Sequence, residues 1–337
     1  MDRNSGVITV IIPTFNRKDM LKNALDSVLS ETRIPIKAHV FDNASTDGTQ
    51  QYLQERAKQD PRLIITRNET NIGALGNYKK ALSSVETDFY VPLGDDDWLL
   101  PDFLYRAHLL LREEPNAYAA IFFAESRNKN GKLDCTYPEN LVDFPSGVLS
   151  PEEHMKAFFS RGHYLWSAIV WRKETLDHVG HPFLHTGLTS DVDFQIQVFS
   201  EFPVVVCPQM GAVYNLHAGS HASGNFSILE IPSWGEVALH MDQFTSRLYS
   251  ASEYENLKKK FRDRYGPTWR KRPVGTVEQN KLNELAVIAL EQLGDVELAT
   301  SLFQGVLPKT RRTPWEKLVR SFSKRMQQLK KHHQSRS

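Results

Sequence analysis

An apolar run that breaks into three consecutive aspartates constrains this chain more than any other stretch. Phe89-Tyr90-Val91-Pro92-Leu93 has the composition of a buried parallel strand, its proline apart. Gly94 leads it into Asp95-Asp96-Asp97, and Trp98-Leu99-Leu100 and Pro101 follow. Three adjacent carboxylates repel one another, so a strand end of this kind needs a cation or solvent to neutralise it. Hard oxygen ligands at this spacing suit Mg²⁺ or Mn²⁺, which commonly binds through one or two carboxylates plus substrate phosphates. In an open α/β sheet ligands sit at the carboxyl ends of strands, where this cluster falls. A second reading stands beside it: a solvated acidic turn capping a helix that starts at Pro101.

The flanking segments supply the sheet. Val7-Ile8-Thr9-Val10-Ile11-Ile12, ended by Pro13, is a β-branched run that predicts a buried first strand. Leu21, Ala24, Leu25, Val28 and Leu29 recur with helical spacing. A second strand, 36–41, opens into Asp42-Asn43-Ala44-Ser45-Thr46-Asp47-Gly48, and a helix over 49–58 and a strand over 63–66 follow. Asn71-Ile72-Gly73-Ala74-Leu75-Gly76-Asn77 leads into the next helix. Strands alternating with helices in this way imply right-handed crossovers and a mostly parallel α/β sheet. Polar loops at 14–17, 42–47 and 94–97 then leave the same edge. Each alone is ordinary turn chemistry. Together they describe a nucleotide pocket, with carboxylates for base and ribose, backbone amides for phosphate and aspartates for a metal.

The blocks ITVIIPTFNR, VFDNASTDGT, NIGALGN and LGDDDWLLPD, in this order and spacing, resemble family 2 glycosyltransferases of the GT-A fold over roughly residues 7–220. The resemblance implies that Pro13, Thr14 and Asn16 line a donor nucleotide and that Asp42 contacts its base. It implies a DXD-type element at Asp95–Asp97 that holds Mn²⁺ or Mg²⁺ on the diphosphate. Where the family often has Asp-X-Asp-Asp, the first position here is Gly94, so the metal role falls on Asp96 and then Asp97, with Asp95 toward the nucleotide. Where many members have Ala-Arg-Asn, this chain has Leu75-Gly76-Asn77, and an arginine that could contact the nucleotide is missing.

Past the aspartates the reading places a helix to about Arg112, a strand at 118–124, an irregular stretch over 133–150 that covers an acceptor cleft, and a short helix over 151–160. Leu165–Trp171 reads as a strand. Thr189-Ser190-Asp191-Val192-Asp193 opens a helix and resembles the family's Glu-Asp element, which makes Asp191 the catalytic base and Asp193 the near alternative. Two carboxylates stabilising a helix N-terminus is the competing reading there. Tyr214–Ser223 resembles the family's Tyr-Arg-X-His element, with His217 beside the diphosphate or metal and His221 in the loop. His178, His181 and His185 have spacing that could suggest zinc, but no cysteine lies near them. Residues 226–308 read as a helical region, with Arg262–Arg272 a linker and an αα-hairpin around Gly294-Asp295.

Composition narrows the partners. With Lys+Arg 41 against Asp+Glu 40 the net charge is +1, which gives no global argument for nucleic acid. Cys135 and Cys207 are too few for a disulfide framework, so a reducing, cytoplasmic setting is expected. Neither a signal peptide nor a membrane span is read in the sequence. Residues 309–337 carry ten Lys/Arg against Glu316, and Trp315, Leu318, Val319, Phe322, Met326 and Leu329 form an apolar stripe along them. That pattern predicts a basic amphipathic helix able to lie on the inner face of an anionic membrane, or to dock on the preceding hairpin.

The expected enzyme is an inverting, metal-dependent transferase that moves a sugar from a nucleotide-diphosphate donor, UDP-linked by default in the family, to a glycan or lipid-linked acceptor. Nucleotidyl transfer is a second class, but Pro13-Thr14-Phe15-Asn16-Arg17 is not the glycine-rich basic loop it would use. A non-catalytic carbohydrate-binding scaffold is the third.

Overall fold

The computed structural model describes residues 6–128, 130–138, 141, 143–180, 189–217, 228–270 and 276–305. The basic segment 309–337, His181, His185 and His221 lie outside the described residues. Contacts divide the chain into two compact units, Met1–Asn225 with Ser233–Phe261, and 226–232 with the residues from 262 onward.

Among the described residues, the first unit is built on one ten-stranded sheet. Strand β1 (Ile8–Thr14), β2 (Ile36–Asp42), β3 (Leu63–Arg67) and β4 (Phe89–Pro92) run parallel in the order β3-β2-β1-β4. All seven β1 residues are buried, as a strand covered on both faces requires. Pro92 closes the β1–β4 ladder opposite Ile11, and Leu93 N then donates to the Ile11 carbonyl at 2.9 Å. A proline at the last rung therefore costs the ladder no donor. Helices α1 (Lys18–Leu29), α2 (Thr49–Gln59) and α3 (Gly73–Ser83) make the crossovers, and α1 buries Leu21, Ala24, Leu25, Val28 and Leu29. This half follows the expected mostly parallel α/β pattern.

The second half of the sheet is mixed. After β5 (Trp98–Leu99) and α4 (Phe103–Glu113) come β6 (Ala119–Arg127), β7 (Leu133–Tyr137), β8 (Gly147–Leu149), α5 (Pro151–Arg161), β9 (Ile169–Arg172), α6 (Glu174–Val179), α7 (Ser190–Glu201) and β10 (Val204–Asn215). The order continues β4-β9-β6-β10-β5, with β9 antiparallel to both its neighbours and β10 parallel to β6.

Four expectations change here. The helix expected from Pro101 starts at Phe103, because Trp98–Leu99 pair with β10 and Leu100 N donates to the Gly211 carbonyl at 2.9 Å, holding the chain extended. The stretch 133–150 contains two short strands that edge the sheet. Leu165–Trp171 is a 3₁₀ turn over Trp166–Ala168 before β9, with the Trp166 ring stacked on Phe194. Strand β10 was not expected, since Pro208, Gln209 and Gly211 interrupt its apolar pattern. Its register slips on either side of Met210, and a Cβ at Gly211 would meet Phe103 Cδ2 at 2.6 Å. Only glycine allows α4 to pack this close.

Helix α8 (Ile231–His240) continues into a π turn, Met241–Thr245, and α9 (Ala251–Trp269) follows. Helix α9 runs into the expected linker as far as Trp269 despite Pro267, because Phe261, Tyr265 and Trp269 form a buried stripe at i, i+4 and i+8. In the second unit, α10 (Gln279–Glu291) and α11 (Val296–Phe303) form the expected hairpin, with Leu285, Ala286, Leu298 and Leu302 buried. Asp295 caps α11 through Leu298 N and also takes the Trp269 indole N–H at 3.0 Å and a forked Arg270 contact at 2.7 and 2.8 Å.

Candidate active site

Parallel strands deliver their C-terminal residues to one edge, and the chemistry collects there. Thr14 ends β1, and its hydroxyl donates to Asp95 Oδ2 at 2.7 Å. Asn16 takes a left-handed φ of 52°. Its N–H donates to Ser45 Oγ at 2.9 Å and its Oδ1 accepts from Thr46 N at 2.7 Å, which ties the β1 and β2 loops together. Pro13 is buried in β1 opposite Phe41.

Asp42 ends β2 and is 1% exposed. Its Oδ1 accepts from Ser45 N at 2.9 Å, and its Oδ2 takes an ion pair from Arg67, whose Nη2 also donates to the Ser45 carbonyl at 2.9 Å. Arg67, at the end of β3, therefore covers the carboxylate assigned to the base. It was not singled out in the sequence, although it sits one residue past a predicted strand at the loop edge. The NIGALGN block serves a buried amide network. Asn77 donates to the Phe41 carbonyl at 2.8 Å, while Asn68 bonds Asn43 and Asn77 at 2.9 Å each. Asn43 Nδ2 reaches Asn71 at 2.7 Å.

Two of the three aspartates converge and the third turns away. Asp95 Oδ1 and Asp96 Oδ2 converge on one nitrogen, Arg17 Nη1, at 3.0 and 2.9 Å. Asp96 Oδ2 also lies 2.9 Å from His217 Nε2. Asp97 is turned inward, accepting from Asn215 N at 3.1 Å and from the Ser167 hydroxyl. Burial raises the Asp95 carboxyl, reinforced by Asp96, while Arg17 and Thr14 pull it back. Burial and the neighbouring Asp96 hold Asp97 well above the usual carboxylate range. The Tyr78 phenol, on α3, is raised by burial and by the same three carboxylates, which places it at the cluster as well. Gly94 leaves room for these carboxylates: a Cβ there would meet Asp96 Oδ1 at 2.9 Å and Asp97 Oδ2 at 3.3 Å.

Strand β10 brings Asn215 and His217 to the aspartates, which the sequence reading had no element to do. Asp191 opens α7 and accepts from Val192 N at 2.8 Å; burial raises its carboxyl and His163 opposes the shift. His163 packs against Tyr137, and Tyr137 against Tyr214, the residue before Asn215. This wall connects Asp191 with the strand that reaches Asp97. Asp193, two residues on, is engaged by His240 and by Gln197 Nε2 at 2.8 and 2.9 Å. His178 lies in an aromatic contact with Tyr118 and Phe202.

Residues 9–162 match the family model described as Glycosyl transferase family 2. These residues belong to that family. An abequosyltransferase, RfbV of Salmonella typhimurium, is 31% identical over 115 residues, 33% of this chain and 34% of its own length. The GalNAc(5)-diNAcBac-PP-undecaprenol beta-1,3-glucosyltransferase of Campylobacter jejuni is 29% identical over 154 residues, 45% of this chain and 48% of its own. The chain therefore spans half or less of the length of these curated relatives. Among solved structures, S. aureus TarS 1–349 in complex with UDP-GlcNAc superposes with a TM-score of 0.63 at 16% identity, covering 88% of this chain and 90% of that one. That likeness shows the GT-A-like fold, a mostly parallel α/β sheet with flanking helices and added C-terminal helices.

A divalent cation at the family 2 aspartates can be tested against the donor set. Two hard oxygens, Asp95 Oδ1 and Asp96 Oδ2, already share one cationic partner, so the residues fit Mg²⁺ or Mn²⁺. Among the described residues no group of three or more His, Cys, Asp or Glu could hold a metal ion by itself. A cation here would share its shell with substrate phosphates. Among the described residues, no helix of the family 2 domain or of the C-terminal region is long and apolar enough to cross a membrane.

Proposed function

We propose that this chain is an inverting glycosyltransferase that moves a sugar from a nucleotide-diphosphate donor to a hydroxyl of a glycan or lipid-linked acceptor. The observation that carries the reading is the meeting of Thr14, Arg17, Asp95, Asp96 and His217 at one sheet edge inside a family 2 domain. Pro13, Thr14 and Asn16 shape the nucleotide end of the cleft, and Asp42 with its Arg67 partner forms the base end. Asp96 with Asp95 would hold Mg²⁺ or Mn²⁺, and His217 orients the Asp96 carboxylate. The inward Asp97 braces the turn from below. A divalent cation bound there would offset the charge that develops on the departing diphosphate.

Asp191 is assigned the proton from the acceptor hydroxyl as that oxygen attacks the anomeric carbon. Burial raises its carboxyl, against the opposing His163, which strengthens it as a base. The undecaprenol-linked substrate in the name of the Campylobacter jejuni relative supports a lipid-linked glycan as the acceptor class, and UDP-sugars are the default donor class of the family. The basic, stripe-patterned 309–337 segment would serve such an acceptor by contacting an anionic bilayer.

A donor screen by ligand-induced thermal shift, with and without Mn²⁺, tests the reading. Stabilisation by a nucleotide sugar that depends on Mn²⁺ is the expected result. No stabilisation by any UDP-, dTDP- or GDP-sugar would overturn it.

A further inference from the structure

Arg17 closes the acidic pole of the cleft from within. Its Nη1 sits where Asp95 Oδ1 and Asp96 Oδ2 converge, 3.0 and 2.9 Å away, so a divalent ion using those oxygens and this guanidinium cannot share the position. The carboxylates do not depend on Arg17 for their placement. Thr14 holds the other oxygen of Asp95 at 2.7 Å, and His217 holds Asp96 at 2.9 Å. The backbone of Arg17 is fixed at the start of α1, where its carbonyl accepts from Met20 N and Leu21 N at 3.1 and 2.9 Å. Its side chain is long, and 29% of it faces solvent. Burial works against the guanidinium charge, but Asp95 and Asp96 more than compensate. The contact is a charge-assisted pair on a long side chain whose backbone is fixed.

We propose that Arg17 is a tethered cation that competes with a divalent ion for Asp95 and Asp96, making tight metal binding conditional on a nucleotide diphosphate. The inference rests on the donor reading above. An intramolecular competitor is present at an effective concentration that free metal has to overcome. An incoming diphosphate changes the balance in two ways. It completes the shell of a cation that two carboxylates alone hold weakly, and it offers the displaced guanidinium a new anionic partner. Arg17 would thereby order binding, so that metal and donor arrive together.

Calorimetric titration of the full chain with Mn²⁺ alone tests this, using wild type, Arg17→Gln and Arg17→Lys, each checked for folding by circular dichroism. Arg17→Gln is expected to bind Mn²⁺ without nucleotide roughly tenfold or more tighter than wild type, since the competitor is gone. Arg17→Lys should fall between, because it keeps the charge on a shorter side chain, and it carries the test if the glutamine variant fails to fold. Equal or weaker Mn²⁺ binding by a folded variant would overturn the proposal. A parallel titration of wild type with UDP and Mn²⁺ reads the donor assignment separately. Nucleotide uptake without a gain in the variants removes the Arg17 inference alone. A gain in the variants without nucleotide uptake removes the donor reading and leaves the competition standing.

Discussion

His240 Nδ1 lies 2.8 Å from Asp193 Oδ1, and Gln197 Nε2 donates to the other Asp193 oxygen at 2.9 Å. Both oxygens of Asp193 are thus engaged, one by Gln197 of its own helix and one by His240 of α8, two residues from Asp191, whose Oδ1 accepts from Val192 N at 2.8 Å. The pair separates a carboxylate that holds the fold from one assigned to chemistry.

Asp191→Asn should leave donor affinity intact and lower turnover by roughly 10²–10⁴-fold, the usual contribution of a general base. Asp193→Asn should instead lower the melting temperature and leave most of the turnover. In wild type the acid limb of kcat/KM should lie above the ordinary carboxylate range, because burial raises Asp191. Steady-state kinetics across pH on both variants would decide it. Near-normal turnover in Asp191→Asn would end the assignment.

The hydrogen bond that His240 donates to Asp193 raises the imidazole above its ordinary 6.5, against the opposing effect of burial. A histidine whose folded value is raised contributes stability that is fully present below the unfolded value and is lost as pH rises through the folded one. The stability difference between wild type and His240→Asn should therefore shrink as pH climbs upward from 6.5. Denaturant melts at several pH values read it; a gap that widens with pH contradicts the pairing.

Asp96→Ala should abolish Mn²⁺-dependent donor binding, since the oxygen shared by Arg17 and His217 is removed. Calorimetry with UDP and Mn²⁺ is the measurement. Unchanged metal-dependent affinity would move the role to Asp95 or Asp97.

Asn77→Ala removes a donor to the Phe41 carbonyl and an acceptor from Asn68, both buried. Leaving such groups unpaired should cost roughly 1–3 kcal/mol of stability. A denaturant midpoint within error of wild type would show that the amide network contributes little.

Removing residues 309–337 should weaken binding to anionic vesicles while a soluble donor is still bound. The ten Lys/Arg of that segment are the attraction. Equal flotation of the full-length and shortened chains at moderate salt would rule the contact out.

The linear order of residues by itself determined the parallel half of the sheet. Ile8–Thr14 and Phe89–Pro92 are largely apolar runs and Ile36–Phe41 alternates apolar with polar residues, patterns that write burial locally, and their polar exits fall at one edge wherever right-handed crossovers operate. That is why Thr14, Asp42 and Asp95–Asp97 were legible as a group. Tertiary structure alone decided the rest. Strand β10 is interrupted by a proline and a glycine, so its pairing with β6 depends on Phe103 and Phe122 closing over Gly211, not on its own pattern. With β10 comes Asn215, and the strand sets His217, which the sequence had already singled out, against Asp96. Arg17 and Arg67 read as ordinary loop arginines until the fold set each against an aspartate about 80 and 25 positions away. Charges far apart in sequence reveal their pairing only when the backbone brings them within hydrogen-bonding reach, and partners, not composition, distinguish Asp95, Asp96 and Asp97 from one another.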